Sequence, residues 1–155
     1  MRSRIEITGE EHAEELVIYC HQITPRIESV LRLVRQLDQQ QQSFSFFKGE
    51  EQFYLNLKEI LFFETDDDRV YAHTADQAYE VKLRLYELEA MLPGYFARVS
   101  KSAITSILHI FSIQKSLTRV SHISFRNSHK EVYCSRMYSN ELFRRMNERY
   151  LYENE

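Results

Sequence analysis

Glycine and proline are scarce in this chain, three and two in 155 residues. So few breakers argue against a disordered or low-complexity protein, and they leave nothing from which to build a glycine-rich loop that cradles phosphates. Cysteine is scarcer still. Cys20 and Cys134 stand far apart, which excludes a disulfide framework and fits reduced thiols in a cytoplasm. The six histidines show no H-x-x-x-H spacing and the cysteines no C-x-x-C, so neither a metal site nor any other cofactor is expected. The opening Met1-Arg2-Ser3-Arg4-Ile5-Glu6 lacks the apolar core of a secretion signal. No window approaches the roughly 20 apolar residues that a membrane span requires. A cytoplasmic protein is therefore expected, one ordinary domain or one domain with a small appended unit. What the chain does have is aromatic bulk, ten Tyr and ten Phe. Such side chains suit a pleated, half-buried surface, so the core is expected to be rich in strands.

Positive charge is also lacking overall, since the net charge is −3. Its distribution is uneven. Residues 59–97 hold three Lys/Arg against nine Asp/Glu, whereas residues 98–155 hold ten against five, and the window 98–147 reaches +7. A basic last third in an acidic chain points to a face that meets a polyanion.

The pattern along the chain divides it in two. Ile5 and Ile7 alternate with polar neighbours, and Leu16-Val17-Ile18-Tyr19 is a short apolar run, so two strands are expected there. Thr24 before Pro25 is a helix start, and Ile27, Val30, Leu31, Val34 and Leu37 form one apolar face. The polar tract Gln39 to Ser43 reads as a linker. Residues 1–42 are thus expected to form a small strand and helix unit, and residues 43–150 the main domain. Beyond the linker the period becomes strand-like. Strands are expected at 43–46, 52–55, 60–64, 70–74, 79–83, 110–113, 120–125 and 131–134, with turns at 75–77 and 126–129. A short helix is expected from Leu85 to Leu92, stopped by Pro93-Gly94, and a closing helix from Met137 to about Leu151.

One run stands apart: Phe96-Ala97-Arg98-Val99-Ser100-Lys101-Ser102. Arg98 and Lys101 offer positive donors, and Ser100 and Ser102 offer hydroxyls that both donate and accept. No base adjoins either serine, and no paired carboxylates stand out, so catalysis is not expected. Lys and Arg can each read the O6 and N7 of guanine, and Arg136 follows Ser135 just ahead of the closing helix. The residues point to nucleic acid rather than to an enzyme.

In order, Ile60-Leu61-Phe62-Phe63-Glu64, Tyr79-Glu80-Val81, Leu85-Tyr86-Glu87-Leu88-Glu89, the run 96–102, His109-Ile110 and Ser135-Arg136 resemble the LytTR DNA-binding domain of bacterial response regulators. The likeness extends from about Phe46 to Met146, and the whole chain is similar to stand-alone LytTR regulators without a receiver domain. The resemblance implies a predominantly β fold of short antiparallel sheets with a few short helices, beside the small amino-terminal strand and helix unit. It implies loops that enter successive major grooves of duplex DNA. Carried across by position, the base contacts fall on the loop holding Asp68 and Arg69, on Lys101 within Ser100-Lys101-Ser102, and on Arg136. Arg98 is a further candidate, as a phosphate contact. Two positions depart from the family pattern: Ser100 replaces the usual His, and Thr105-Ser106 the usual Val-Asn. Both are expected to bear on base preference rather than on the fold.

The partners expected are double-stranded DNA with repeated half-sites, a second copy of the chain and, by the resemblance, an inhibitory membrane protein. The competing reading is a protein-interaction adaptor or a ligand-sensing β domain, whose basic carboxy-terminal face meets an acidic protein without DNA contact.

Overall fold

The computed structural model describes residues 16–40 and 44–153. The strand expected at Ile5 to Thr8 lies outside them. Helix α1 (Pro25–Gln40) starts as its sequence requires, with the Ile27 N–H reaching the Thr24 hydroxyl at 3.5 Å. It continues through Gln39 and Gln40, two residues read as linker. Leu16 to Tyr19 form no strand. Among the described residues they have no neighbouring strand to pair with, and an unpaired extended segment has no ladder to hold it.

The main domain is antiparallel throughout. Strands β1 (Phe46–Lys48), β2 (Glu51–Phe53), β3 (Phe62–Asp66), β4 (Arg69–His73), β5 (Ala78–Val81), β6 (Phe96–Ser100) and β7 (Ala103–Ser106) form one sheet in the order β2-β1-β5-β4-β3-β7-β6. Strands β8 (Ile110–Lys115), β9 (Ser121–Phe125) and β10 (Glu131–Cys134) form a second, in the order β10-β9-β8. Gly49 turns β1 into β2 at φ +59°, a conformation that suits a residue without Cβ. Helix α2 (Leu85–Met91) lies between β5 and β6, and α3 (Ser139–Asn147) follows β10 with a 3₁₀ turn on either side.

The unbroken apolar run Ile60 to Phe63 has a simple cause: the centre of the large sheet is covered on both faces. Phe62 points one way, stacking on Phe125 of the second sheet with ring centroids 5.4 Å apart, while Phe63 points the other and meets Phe96 at 5.6 Å. Leu85 and Leu88 of α2 and Leu142 of α3 join the same core. Every buried apolar side chain among the described residues lies at or beyond Phe44. The fold is therefore predominantly β with a few short helices.

One polar network ties the two sheets. On β4, His73 lies against Glu64 of β3 at 2.9 Å through Nε2, and its Nδ1 accepts from the Lys130 ammonium at 3.2 Å. Lys130 comes from the β9–β10 connection and also donates to the Gln77 carbonyl. Burial, with Lys130 beside it, pushes the His73 imidazole down to about 4, so the ring is neutral at pH 7.

Candidate nucleic-acid interface

Four connections meet at one end of the domain. The β3–β4 turn carries Asp67 and Asp68, and the Thr65 N–H just before it donates to the Ser102 carbonyl at 2.8 Å, which joins it to the β6–β7 turn. The Ser135 N–H donates to the Val99 carbonyl at 2.8 Å, which brings the segment after β10 beside the end of β6. The tip of the β8–β9 hairpin lies there too, because Lys115 pairs with Ser121 and Ser121 pairs with Cys134. Lys101 and Arg136, 35 residues apart in sequence, thus stand on neighbouring loops.

The β6–β7 turn is held from within. The Arg98 guanidinium donates from Nε to the Ser100 carbonyl at 2.6 Å and from Nη2 to the Lys101 carbonyl at 2.6 Å, while Nη1 binds Glu89 of α2 at 2.7 Å. The Ser102 N–H donates to the Ser100 hydroxyl at 3.1 Å, and the two serine hydroxyls lie 3.2 Å apart. Ser100 and Ser102 therefore shape the turn, and Arg98, its side chain only 16% exposed, braces it. Lys101 at its tip is exposed. The register between β6 and β7 slips by one residue at Arg98 to Ser100, a bulge that aims the turn.

The cations of the basic third separate into engaged and free. Arg144 and Arg145 both bind Glu141, and their hydrogen bonds hold its carboxyl down at about 2. Arg149 binds Glu153, and Arg98 binds Glu89. Lys115 sits over the Phe143 ring at 4.4 Å. Among the described residues of this third, Lys101, Arg119 and Arg136 have no side-chain partner, and all three are exposed at the same end. The sequence marks Arg119 only by a polar turn of Ser and Thr between two strand patterns, flanked by Lys115 and Arg119. Arg69, also exposed, makes a long ion pair with Glu80 at 3.6 Å, and Asp68 lies in the exposed β3–β4 turn.

The two departures from the family pattern part company. Ser100 is on the interface turn, but Thr105 and Ser106 are wholly buried in β7, where the Thr105 hydroxyl donates to the Leu61 carbonyl at 3.3 Å. Side chains so placed cannot touch a base, so the Thr105-Ser106 change acts on the core and not on base preference.

Comparison with known proteins agrees with this architecture. The family model of the LytTr DNA-binding domain matches residues 50–147. Two proteins of Staphylococcus aureus, strains MSSA476 and NCTC 8325, each named an uncharacterized HTH-type transcriptional regulator, are 26% identical over 146 residues, covering 94% of this chain and 98% of theirs. Their label notwithstanding, the described helices α1, α2 and α3 of this chain are each separated by strands rather than paired through a short turn. A solved structure from Bacillus cereus, the LytTr DNA-binding domain of a protein described as a methyl-accepting/DNA response regulator, superposes with a TM-score of 0.62 at 20% identity. It covers 68% of this chain and 97% of its own length, which shows the shared fold. With nearly the whole β domain inside the family match, the chain belongs to the LytTR DNA-binding domain family and is a DNA-binding regulator.

Proposed function

We propose that this protein is a cytoplasmic transcription regulator that binds duplex DNA at repeated half-sites and reads bases with Lys101 and Arg136. The observation that carries this reading is the contrast in charge: most cations elsewhere in the basic third are engaged with carboxylates, carbonyls or aromatic rings, while those on the converging loops are left for a ligand. Arg136 has a planar fork that can hold two guanine acceptors at once, and Lys101 offers a point donor from a braced turn. Asp68 lies in the β3–β4 turn and Arg69 opens β4 beside it, where a carboxylate suits a cytosine amino group and repels phosphate.

Dimerisation through residues 1–42 belongs to the same reading. Ile27, Val30, Leu31 and Val34 of α1 are only half-buried, Leu33 is exposed, and no described residue of the helix joins the core. An apolar face left open in one copy supports a second copy as its cover. Ahead of it, Leu16, Val17, Tyr19 and Ile23 are exposed and offer an apolar surface to the inhibitory membrane protein implied by the family resemblance. A pull-down from membranes that recovers no integral protein would remove that partner from the account.

The test of DNA reading is selection from randomised duplexes by the purified chain, followed by a salt titration of the selected site. A recurrent motif is expected, with affinity falling steeply as salt rises because each phosphate contact releases counterions. Recovery of random sequence, with binding indifferent to salt, would refute it.

A further inference from the structure

The β8–β9 turn and the start of α3 enclose a cavity of about 320 Å³ whose walls carry Lys115, Arg119 and Arg136, with Ser139 and Asn140 opposite. No carboxylate lines it among the described residues. Ser121 on its wall is 2% exposed, and no side chain caps the first turn of α3. Three cations share one recess with no counter-charge, an arrangement that self-repulsion disfavours unless an anion joins it.

The backbone of the turn gives a second, independent sign. Arg119 has φ +65°, in the left-handed region, whereas the other non-glycine residues with positive φ among the described residues are Asp67 and Asn127, types that tolerate it. The turn is locked around it: the Arg119 N–H donates to the Ser116 carbonyl at 3.1 Å, and the Ser116 hydroxyl donates to the Val120 carbonyl at 2.8 Å. A long cationic side chain held where glycine would be easier is a strained position that aims a charge at the recess.

We propose that this recess is a clamp for one backbone phosphate of the bound duplex, gripped by Arg119 next to the base contact of Arg136 and assisted by Lys115, whose ammonium also lies over the Phe143 ring. The inference rests on the DNA reading proposed above and extends its footprint to residues that carry no base information. Phosphate contacts fix register and leave sequence preference alone, which separates the clamp from the readers.

The test uses the full chain, fluorescence anisotropy, the selected duplex and a scrambled one. Arg119→Gly removes the charge and relieves the left-handed strain, so it is expected to keep or raise Tm while weakening both duplexes alike, roughly tenfold, and reducing the salt slope by about 0.9. Lys115→Gln is expected to weaken both alike to a smaller degree. Unchanged affinity and slope in both folded variants, or a changed base preference, would overturn the clamp. Uniform loss on variants of a wild type that shows no preference would instead leave the clamp standing and sink the base readers. Inorganic phosphate titrated at constant ionic strength distinguishes a free anion from the DNA backbone. Phosphate that binds wild type but not Arg119→Gly while leaving the affinity of wild type for DNA unchanged would reassign the recess to a free anion and overturn the clamp.

Discussion

Replacing Arg98 by Ala removes a guanidinium that holds two successive carbonyls, those of Ser100 and Lys101, and ties them to Glu89. Hydrogen bonds from a charged donor contribute roughly 1.5–3 kcal/mol each, but the freed carbonyls lie at a surface turn where water replaces the donor. We expect a stability loss of about 2 kcal/mol, less than the sum of the three bonds. The effect on DNA should exceed what stability accounts for. With the turn unbraced, Lys101 is no longer held in one place, and discrimination at its base pair, normally worth about 1–3 kcal/mol, should fall by most of that amount. The salt slope should not change, because a side chain only 16% exposed and turned onto two carbonyls and Glu89 touches no phosphate. Arg98→Lys should rescue the Glu89 contact but not the preference, since one ammonium cannot fork to two carbonyls. Anisotropy across single-base variants of the selected site at several salt concentrations, well below the variant's Tm, measures both quantities. Loss of about one unit of salt slope with base preference intact would show that Arg98 contacts phosphate and would refute the bracing argument.

Other outcomes follow from the same geometry. His73 has a folded-state value near 4 against 6.5 in the unfolded chain, so the unfolded state takes up its proton first and stability should fall as pH drops from about 6.5 toward 4; denaturant midpoints against pH should show this, and His73→Phe should flatten that window. Glu141, held near 2, should contribute only below about pH 4.5, so acid loss beginning there instead would contradict the role of His73. Phe63→Ala, at a fully buried ring, should cost about 3–5 kcal/mol by urea unfolding, whereas Tyr54→Ala, at an exposed one, should stay within about 0.5 kcal/mol. Deleting residues 1–42 should leave a folded β domain that binds a two-repeat site with less cooperativity; sedimentation showing both forms equally monomeric on and off DNA would reject the dimer.

Strands that were readable from the sequence owe it to a clear local signal. The run 60–63 is apolar because both its faces are covered, and the β4–β5 and β9–β10 hairpins turn where Ala75-Asp76-Gln77 and Arg126 to His129 stand. The β6–β7 pair reads in the sequence as a functional run rather than as strands for equally physical reasons. Its bulge at Arg98 to Ser100 breaks the period of two, and its buried Thr105 and Ser106 have the composition of a surface. Arg98 looked like a free cation because its partners are two backbone carbonyls, which no side-chain pattern encodes, and a glutamate nine residues away. The convergence of Lys101, Arg119 and Arg136 depends on strand register between distant segments, so each cation was visible in sequence but their neighbourhood was not.

The central claim is that Arg136, exposed and unpartnered beside the braced turn of Lys101, reads a base pair. Anisotropy of Arg136→Ala on the selected duplex and all of its single-base variants tests it most directly. A loss of about 1–3 kcal/mol on the selected site, with preference relaxed at one base pair and retained at the others, is the result expected. A folded Arg136→Ala protein that keeps both full affinity and full base preference would contradict it.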